Sequence, residues 1–375
     1  MSDSTAPLLS VQDLSVGFEG FDGYAAVVDG VDLTVEHGEV VTIAGETGCG
    51  KSVTTKAITG LLDEPPARVS GAVEFDGQDL RDLPDDERRA LNGDRISVIF
   101  QNPLSSLNPV FTIGEQLTDT AQFGGEGDTG ILGYLRRRLS SPDRSAARER
   151  VLELLEEVRM PDPESVMDSY PSELSGGMRQ RAIIAQALLN EPDLLIADEP
   201  GSALDVTVHD EILSLLEDLI AKRDMSILMI THNLGVARQL SDRVYIMYGG
   251  RIAETAPTTE IFDAPRHPYT QGLIASIPRL SGDSMAGGIG GSVPEYTDPP
   301  MGCRFHPRCP YADDSCRSSE PPDVSFGEQA RSACVRHADG DTGPVPTLEE
   351  TKRRLSEPDR TPAEGRRKVP DSYRL

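Results

Sequence analysis

The sequence predicts an α/β protein whose core is a mostly parallel β-sheet. Three short apolar runs, at 40–44, 194–197 and 226–231, have the length of buried strands, and each is followed directly by glycine or polar residues. Helical patterns occupy 178–190 and 206–223, one before each of the two later runs. Strands that alternate with helices along a chain form a parallel sheet with helices packed on it.

Other elements surround this predicted core. Residues 8–18 and 31–43 show β-like alternation and are rich in β-branched residues, which predicts strands. Residues 71–99 contain further strand patterns around a turn. An amphipathic helix is predicted from about 146 to 158, and the prolines at 161 and 163 end it.

The composition is that of an acidic globular protein. The chain has 375 residues and a mean hydropathy of −0.34, and this length is ample for a buried core. No apolar run approaches the ~18 residues of a membrane span, and the N-terminus lacks the layout of a secretory signal, so we expect neither a secreted protein nor a membrane channel. With 36 Lys and Arg against 62 Asp and Glu, the formal charge of −26 argues against nucleic-acid binding. Because Arg is favoured over Lys within this acidic excess, we expect a surface adapted to a salt-rich cytoplasm.

A phosphate-binding loop is the clearest functional motif. Residues 45–52 fit the pattern G-x-x-x-x-G-K-[ST] and lie between a predicted strand and a predicted helix start. Glycines let successive backbone N–H groups face the phosphates, and the helix N-terminus adds its positive end. Lys51 would supply a charge to the β- and γ-phosphates, and the Ser52 hydroxyl would bind Mg²⁺. The predicted nucleotide-binding residues of this segment are Gly45, Glu46, Thr47, Gly48, Cys49, Gly50, Lys51, Ser52 and Val53.

Two acidic residues follow the apolar run 194–197. A buried strand there delivers Asp198 to the carboxyl edge of the sheet, where its carboxylate can hold Mg²⁺ through water. Glu199 is then placed to polarise the water that attacks the γ-phosphate. An apolar run that ends in Asp-Glu is a weak signal by itself, and the P-loop upstream is what favours the catalytic interpretation.

Further motifs resemble the landmarks of ATP-binding cassette (ABC) ATPases and occur in that family's order. Residues 174–181, Leu-Ser-Gly-Gly-Met-Arg-Gln-Arg, are similar to the signature motif. Gln101 matches the Q-loop glutamine, residues 202–205 match the D-loop, and His232 matches the switch histidine. The resemblance covers roughly residues 8–280. It implies a P-loop NTPase of the ABC cassette fold, with a parallel core sheet, an antiparallel β subdomain and a helical signature subdomain.

The resemblance also implies roles for these residues. Ser175, Gly176 and Gly177 open a helix, and in this family the resulting anion site closes on the γ-phosphate held by a partner subunit, so that two chains sandwich two ATP molecules. His232 would hydrogen-bond the γ-phosphate and the attacking water. The implied catalytic residues are Glu199, His232 and Gln101, and the implied Mg²⁺ ligands are Ser52, Gln101 and Asp198.

An aromatic side chain near the N-terminus usually stacks on adenine in this family. Phe18, Phe21 and Tyr24 are candidates, and we favour Phe18 or Tyr24, although the glycine-rich segment 17–24 leaves the alignment open. At Gly201 the sequence departs from the peptide-importing branch, which usually has threonine after Asp-Glu-Pro. This departure could loosen the D-loop, but it removes no catalytic group.

Three segments resemble the oligopeptide/dipeptide branch of ABC importers, namely 101–109, 261–270 and 302–310. The resemblance implies an ATPase subunit that pairs with a second cassette, identical or paralogous, and with two transmembrane permease subunits. An external solute-binding protein would deliver cargo to this complex, and the ATPase would lie at the cytoplasmic face of the cell membrane. ATP binding and hydrolysis would drive the permeases between two states.

Two alternatives to peptide import remain open. The same branch includes importers of nickel and other small solutes, and the cassette does not touch the cargo, so the sequence does not identify the substrate. A non-transport ABC ATPase that acts on DNA or ribosomes is the second alternative. Such proteins usually carry a long coiled-coil insertion or two cassettes, and this sequence shows one cassette without heptads, so no nucleic-acid partner is expected.

A cluster of four cysteines marks the C-terminal part of the chain. A cytosolic chain rarely keeps clustered cysteines for disulfides, so we expect a metal site. The spacing lacks the paired C-x2-C pattern of structural zinc sites, whereas thiolate ligation suits a [4Fe–4S] cluster, with which the resembled importer module is associated. Zinc, with His306 and His337 as substitute ligands, and four unrelated reduced thiols are the alternatives. The four residues are Cys303, Cys309, Cys316 and Cys334.

We divide the chain into a cassette with its post-cassette segment at 1–280, a linker at 281–300, a Cys-rich module at 301–338 and a charged tail at 339–375 that we expect to be disordered. Because the cysteines lie beyond the linker and far along the chain from the P-loop, we expect their role to be structural or regulatory. The insertion 124–142 has no predicted role.

Overall fold

Two β-sheets with helices packed around them make up this computed structural model. Phe21, the insertion 124–142, residues 281–288 of the predicted linker and the tail 339–375 lie outside the described residues. The described residues are 6–20, 23–101, 106–123, 144–202, 204–223, 225–277 and 289–338.

The elements follow one another in the alternating order that the sequence predicts for the middle of the chain. The strands are β1 (Leu9–Gly20), β2 (Gly23–Val35), β3 (Val40–Ala44), β4 (Ala67–Phe75), β5 (Gln78–Asp79), β6 (Ile96–Ile99), β7 (Leu194–Asp198), β8 (Ser226–Thr231), β9 (Arg243–Tyr248), β10 (Arg251–Pro257), β11 (Asp323–Ser325) and β12 (Arg331–Ala333). The helices are α1 (Lys51–Ile58), α2 (Asp85–Asp94), α3 (Ile113–Phe123), α4 (Arg144–Glu157), α5 (Pro163–Met167), α6 (Gly176–Leu188), α7 (Val206–Lys222), α8 (Leu234–Leu240), α9 (Thr258–Asp263), α10 (Pro268–Ala275) and α11 (Asp314–Ser318).

The central sheet has the strand order β11-β12-β10-β9-β3-β8-β7-β6 within the described residues. Strands β9, β3, β8, β7 and β6 pair in parallel, and the strands beyond β9 pair antiparallel. Every residue of β3, β7 and β8 is buried, as in parallel sheets that are covered by helices on both faces. The predicted parallel α/β core is therefore confirmed.

The second sheet is antiparallel, with the order β2-β1-β4-β5. Its apolar face shares one hydrophobic cluster with the central sheet, in which Val31 and Val73 pack with Ile43 and Ile230. The four helices α3, α4, α5 and α6 form a bundle with a hydrophobic cluster of its own, which includes Leu117 and Leu155. This cluster also contains Leu195, on the other face of β7. These are the antiparallel and helical subdomains that the resemblance implies.

The Cys-rich segment extends the central sheet. Strand β12 pairs antiparallel with β10, with Ser332 opposite Glu254, and β11 pairs with β12. Phe305 is buried against Tyr248 and Tyr269, with ring centroids 5.1 Å and 5.3 Å apart. The Cys-rich segment therefore packs directly on the cassette.

Candidate functional site

The P-loop connects β3 to α1, in the position that the motif requires. Lys51 begins α1, and its buried Nζ donates hydrogen bonds of 2.9 Å to the carbonyl oxygens of Gly45 and Glu46. A Cβ on Gly45 would lie 2.2 Å from the Met247 carbonyl oxygen, and Gly50 has φ +108°. Both positions thus require glycine. The loop has the geometry of an anion site at a helix N-terminus.

The remaining P-loop positions differ in exposure. Thr47 and Gly48 are exposed, whereas Cys49 is fully buried, and burial raises the pKa of its thiol. Val53 packs against the hydrophobic cluster beneath the loop. A buried thiol with a raised pKa is uncharged and unreactive, so Cys49 fills space in the loop.

Strand β7 brings two carboxylates to the P-loop. The Ser52 hydroxyl donates a hydrogen bond of 3.1 Å to Asp198 Oδ1. Asp198 is 5% exposed, and burial raises the pKa of its carboxyl group. The donor set of hydroxyl and carboxylate oxygens is one that Mg²⁺ prefers, and a cation there would offset the cost of burying the carboxylate charge.

Glu199 lies at the centre of the predicted catalytic residues. Gln101 Nε2 donates a hydrogen bond of 3.0 Å to one carboxylate oxygen, and His232 Nδ1 lies 2.8 Å from the other. Glu199 has φ +48°, which is unusual for a non-glycine residue, and its N–H donates to the Ile230 carbonyl. The structure therefore brings together the three predicted catalytic residues, but Gln101 contacts Glu199 and not Asp198.

The signature residues lie at the N-terminus of α6. Ser175 is exposed, and its Oγ accepts a hydrogen bond of 3.3 Å from the Met178 N–H. A Cβ on Gly177 would lie 2.6 Å from Val208 Cγ1, and one on Gly176 would lie 3.1 Å from the end of a leucine side chain. Because Val208 is in the first turn of α7, the start of the signature helix packs directly against the start of the helix that follows the D-loop.

The departure from the family at Gly201 has a structural counterpart. A Cβ on Gly201 would lie 2.3 Å from Nδ1 of His209, which is 2.9 Å from the Gly201 carbonyl oxygen. The imidazole thus occupies the space that a larger residue would need. The expectation of a looser D-loop did not include this contact, which braces Gly201 against α7.

The aromatic candidates lie on the hairpin of β1 and β2. Phe18 is half-buried and packs against the hydrophobic cluster, whereas Tyr24 is exposed and its ring lies over Gly17. A fourth aromatic residue near the hairpin, Tyr296, was not among the candidates from the sequence. Its carbonyl oxygen accepts a hydrogen bond from the Ala26 N–H, and its hydroxyl donates to the Gly48 carbonyl oxygen. Tyr296 therefore links the hairpin to the P-loop. Both partners lie far from it along the chain, so no local sequence pattern predicts these contacts.

Hydrogen bonds connect β10, the post-cassette stretch 261–270 and the P-loop. The buried Glu254 carboxylate accepts hydrogen bonds of 2.8 Å from the N–H groups of Arg266 and His267. His267 in turn caps α10, and burial lowers the pKa of its imidazole to about 3, so the ring is neutral. The hydroxyl of the buried Tyr269 then accepts a hydrogen bond of 2.9 Å from the Glu46 N–H.

The clustered cysteines are folded near one another, and three of the four are buried. Burial, together with the charges of the other clustered thiols, raises the pKa of Cys309 to about 12 and that of Cys334 to about 11. The Cys303 N–H donates to the Cys316 carbonyl oxygen. Among the described residues, no three His, Cys, Asp or Glu side chains are arranged to hold a metal ion. The thiol chemistry suits a metal, but the ligands are not arranged around one.

Residues 28–202 match the ABC transporter family, and residues 253–316 match the C-terminal region of oligopeptide/dipeptide transporters. The dipeptide transport ATP-binding protein DppD of Escherichia coli is 41% identical over 91% of this chain and 99% of its own length. DppD of Bacillus subtilis is 45% identical over 81% of this chain and 87% of its own. The solved dimeric structure of the ATP-binding cassette MJ0796 bound to ADP and Pi has a TM-score of 0.55 at 26% identity, covering 67% of this chain and 98% of that one.

The fold, the P-loop and these similarities define an ATPase of the ATP-binding cassette class, which binds ATP. The chain belongs to the ABC transporter family, and it carries the C-terminal region of the oligopeptide/dipeptide transporters. The resemblance inferred from the motifs is confirmed. Within the part of the chain that the structure describes, no helix has the length and apolar character needed to cross a membrane.

Proposed function

We propose that this chain is the ATPase subunit of an importer for di- or oligopeptides. The observation that carries the ATPase role is the convergence of Gln101 and His232 on Glu199, beside a P-loop whose Ser52 contacts Asp198. The peptide cargo is supported by the dipeptide transport relatives and by the matching C-terminal region. An importer of nickel or another small solute is the alternative cargo class.

In the proposed mechanism, the P-loop binds the phosphates of ATP and Lys51 neutralises part of their charge. Asp198 and Ser52 would hold Mg²⁺, which supplies further charge neutralisation when it is bound with ATP. Glu199 polarises the attacking water, since its carboxylate is fixed by two hydrogen-bond partners. His232, whose side chain is 52% exposed, is accessible to a γ-phosphate at the surface of the site.

Hydrolysis is proposed to require two cassettes. Ser175 is exposed at the start of α6, where the helix dipole favours an anion. We infer that it closes on the nucleotide of a second cassette, as the dimeric form of the similar MJ0796 structure suggests. Two permease subunits and an external solute-binding protein would complete the complex at the cytoplasmic face of the membrane.

The experiment that tests this mechanism compares two substitutions in the purified chain. Glu199→Gln should still bind ATP and should accumulate as a dimer, while hydrolysis falls by the roughly 10²–10⁴-fold typical of losing a general base. Lys51→Ala should instead weaken ATP binding. Full turnover by Glu199→Gln would remove Glu199 from the proposed role.

The cargo is tested in the complete complex. We expect subunits that co-purify with this chain to include two permeases, and dipeptide-loaded binding protein to stimulate ATP hydrolysis by the reconstituted complex. Stimulation by a nickel-loaded binding protein alone would favour the alternative cargo. Absence of any permease partner would favour a non-transport ATPase.

We also propose that the four clustered cysteines hold a [4Fe–4S] cluster, with zinc as the alternative. The support is the donor chemistry and the proximity of the thiols, and binding would require them to lose their protons and rearrange. Anaerobic purification followed by metal analysis and visible absorption tests this proposal. We expect about four irons per chain and absorption near 400 nm that is lost on Cys309→Ser. One zinc per chain without this absorption would contradict the cluster.

A further inference from the structure

The C-terminal module reaches the P-loop through Arg308. Its guanidinium donates two hydrogen bonds to the Glu46 carboxylate, Nη1 to Oε2 at 2.6 Å and Nη2 to Oε1 at 2.9 Å. The Arg308 side chain is only 5% exposed and that of Glu46 is 28% exposed. Two-point contacts of this kind fix the orientation of the carboxylate as well as attracting it. A residue that follows the whole cassette in sequence therefore holds a P-loop side chain.

All five N–H donors of Arg308 have partners. Besides the two bonds to Glu46, Nε donates to the Gly290 carbonyl oxygen at 2.8 Å, Nη2 to the Ile289 carbonyl oxygen at 2.9 Å, and Nη1 to the Tyr248 hydroxyl at 3.3 Å. Burial lowers the pKa of Arg308, but the hydrogen bonds to Glu46 and Tyr248 outweigh it and raise the pKa. The guanidinium therefore stays charged. Its planar fork matches this set of acceptors in a way that lysine, with a single nitrogen, does not.

Two tyrosines contact the same loop. The Tyr269 hydroxyl accepts a hydrogen bond from the Glu46 N–H, and the Tyr296 hydroxyl donates one to the Gly48 carbonyl oxygen. Glu46 and Gly48 occupy positions that the P-loop pattern leaves free, so phosphate binding as such does not dictate them. Tyr269 thus binds the backbone of Glu46 and Arg308 binds its side chain, and both residues follow β10 in the sequence.

We propose that Arg308 is a positioning residue for nucleotide binding, which holds Glu46 so that the P-loop keeps its phosphate-binding conformation. The C-terminal module then sets the affinity of the cassette for nucleotide. The physical reason is preorganisation, since a loop that is already ordered in the free protein loses less conformational entropy when the ligand binds. The inference rests on the P-loop being the nucleotide site, as proposed above. Because the partners of Arg308 are Glu46, the segment 289–290 and Tyr248, its removal should change binding and leave the groups around Glu199 in place.

The test measures ADP binding to the full chain by calorimetry. Arg308→Gln should raise the Kd for ADP by about tenfold, equivalent to about 1.4 kcal/mol, while kcat at saturating ATP changes by less than about twofold because a binding effect alone leaves kcat intact. Arg331→Gln is the matched control, because Arg331 is in the same module, is 53% exposed, and pairs with Asp323 away from the P-loop. It should leave the Kd for ADP unchanged.

A double-mutant cycle separates the proposed link from a general effect on the fold. If Arg308 acts through Glu46, Arg308→Gln should have no further effect on ADP binding in the Glu46→Gln background. Equal weakening in both backgrounds would overturn the proposal, as would an unchanged Kd or a fall in kcat without a change in Kd. If Arg308→Gln does not fold, Arg308→Lys retains the charge without the fork, and the proposal requires an intermediate Kd for it. Failure of the wild-type chain to bind ADP, or equal binding by Lys51→Ala, would reject the P-loop assignment instead.

Discussion

The contact between Gly177 and Val208 allows a test of how the signature helix is positioned. In Gly177→Ala, the new Cβ would lie 2.6 Å from Val208 Cγ1, about 0.8 Å short of the 3.4 Å at which ordinary van der Waals contact begins. Val208 is β-branched and lies in a helix, so its χ1 has little freedom to relieve the clash. Overpacking of this kind costs about 1–3 kcal/mol. Alanine favours helix over glycine by about 1 kcal/mol, so helix propensity alone would predict the opposite sign.

The substitution should also lower activity. Relief of the clash moves the start of α6, with Ser175, away from α7, and a misplacement of about 1 Å can reduce a rate by about 10²-fold. We expect Gly177→Ala to lower the melting temperature by about 2–4 °C per kcal/mol and to reduce ATP hydrolysis strongly, with ATP affinity of the isolated chain unchanged. Thermal unfolding and steady-state ATPase assays measure these effects.

The matched background is Val208→Ala, which removes the atom that the new Cβ would meet. Gly177→Ala should be far less destabilising there, and the difference between the two backgrounds measures the contact directly. If Gly177→Ala costs the same stability in both backgrounds, or if it leaves turnover intact in the wild-type background, the packing argument is refuted.

Three further predictions follow from the site and the charge. Burial raises the pKa of Asp198 in the folded chain, so the ionised carboxylate destabilises the nucleotide-free fold as pH rises. Asp198→Asn should therefore melt at a higher temperature than wild type at about pH 8 and lose this advantage below about pH 4. The same substitution should abolish ATP hydrolysis. A lower melting temperature for Asp198→Asn at alkaline pH would contradict this sign. Ser175→Arg should block turnover with little change in ATP affinity of the isolated chain, and mixing it with Lys51→Ala should leave at most one working composite site; loss of ATP binding by Ser175→Arg alone would reject the two-chain site. The formal charge of −26 implies repulsion between surface carboxylates, which salt screens. Melting temperature and activity should therefore rise from 0.1 M towards molar KCl, as the screening length falls from about 10 Å to about 3 Å. A flat or falling melting temperature would argue against a salt-adapted surface.

Much of the fold and of the central site was predictable because the determining patterns are local. The P-loop glycines, the apolar run before Asp198 and the cap at Ser175 each specify a strand end or a helix start within a few residues. Parallel pairing of β3, β7 and β8 then places these ends at one edge of the sheet. Gln101 and His232 reach Glu199 because their own strands, β6 and β8, flank β7 in the same sheet.

The contacts made by the C-terminal part were not predictable in this way. Arg308 and Tyr296 have no periodic pattern around them, and their partners Glu46 and Gly48 lie about 250 residues earlier in the chain. Pairing of β12 with β10 depends on an edge that exists only after the cassette has folded.

The central position of β3 has a consequence for how the protein is made. Its two neighbours in the sheet, β8 and β9, are synthesised long after it, at Ser226–Thr231 and Arg243–Tyr248. While the ribosome is still adding the helical subdomain, β3 therefore lacks both of the strands with which it pairs in the folded protein, and its apolar residues cannot yet be buried between them. Contacts between distant parts of a chain form slowly and leave such segments open to aggregation. A chain that stops before residue 308 can still pair β3 on both sides, yet it lacks the guanidinium that contacts Glu46; under the proposed role of Arg308, such a chain binds nucleotide more weakly than a chain that includes residue 308.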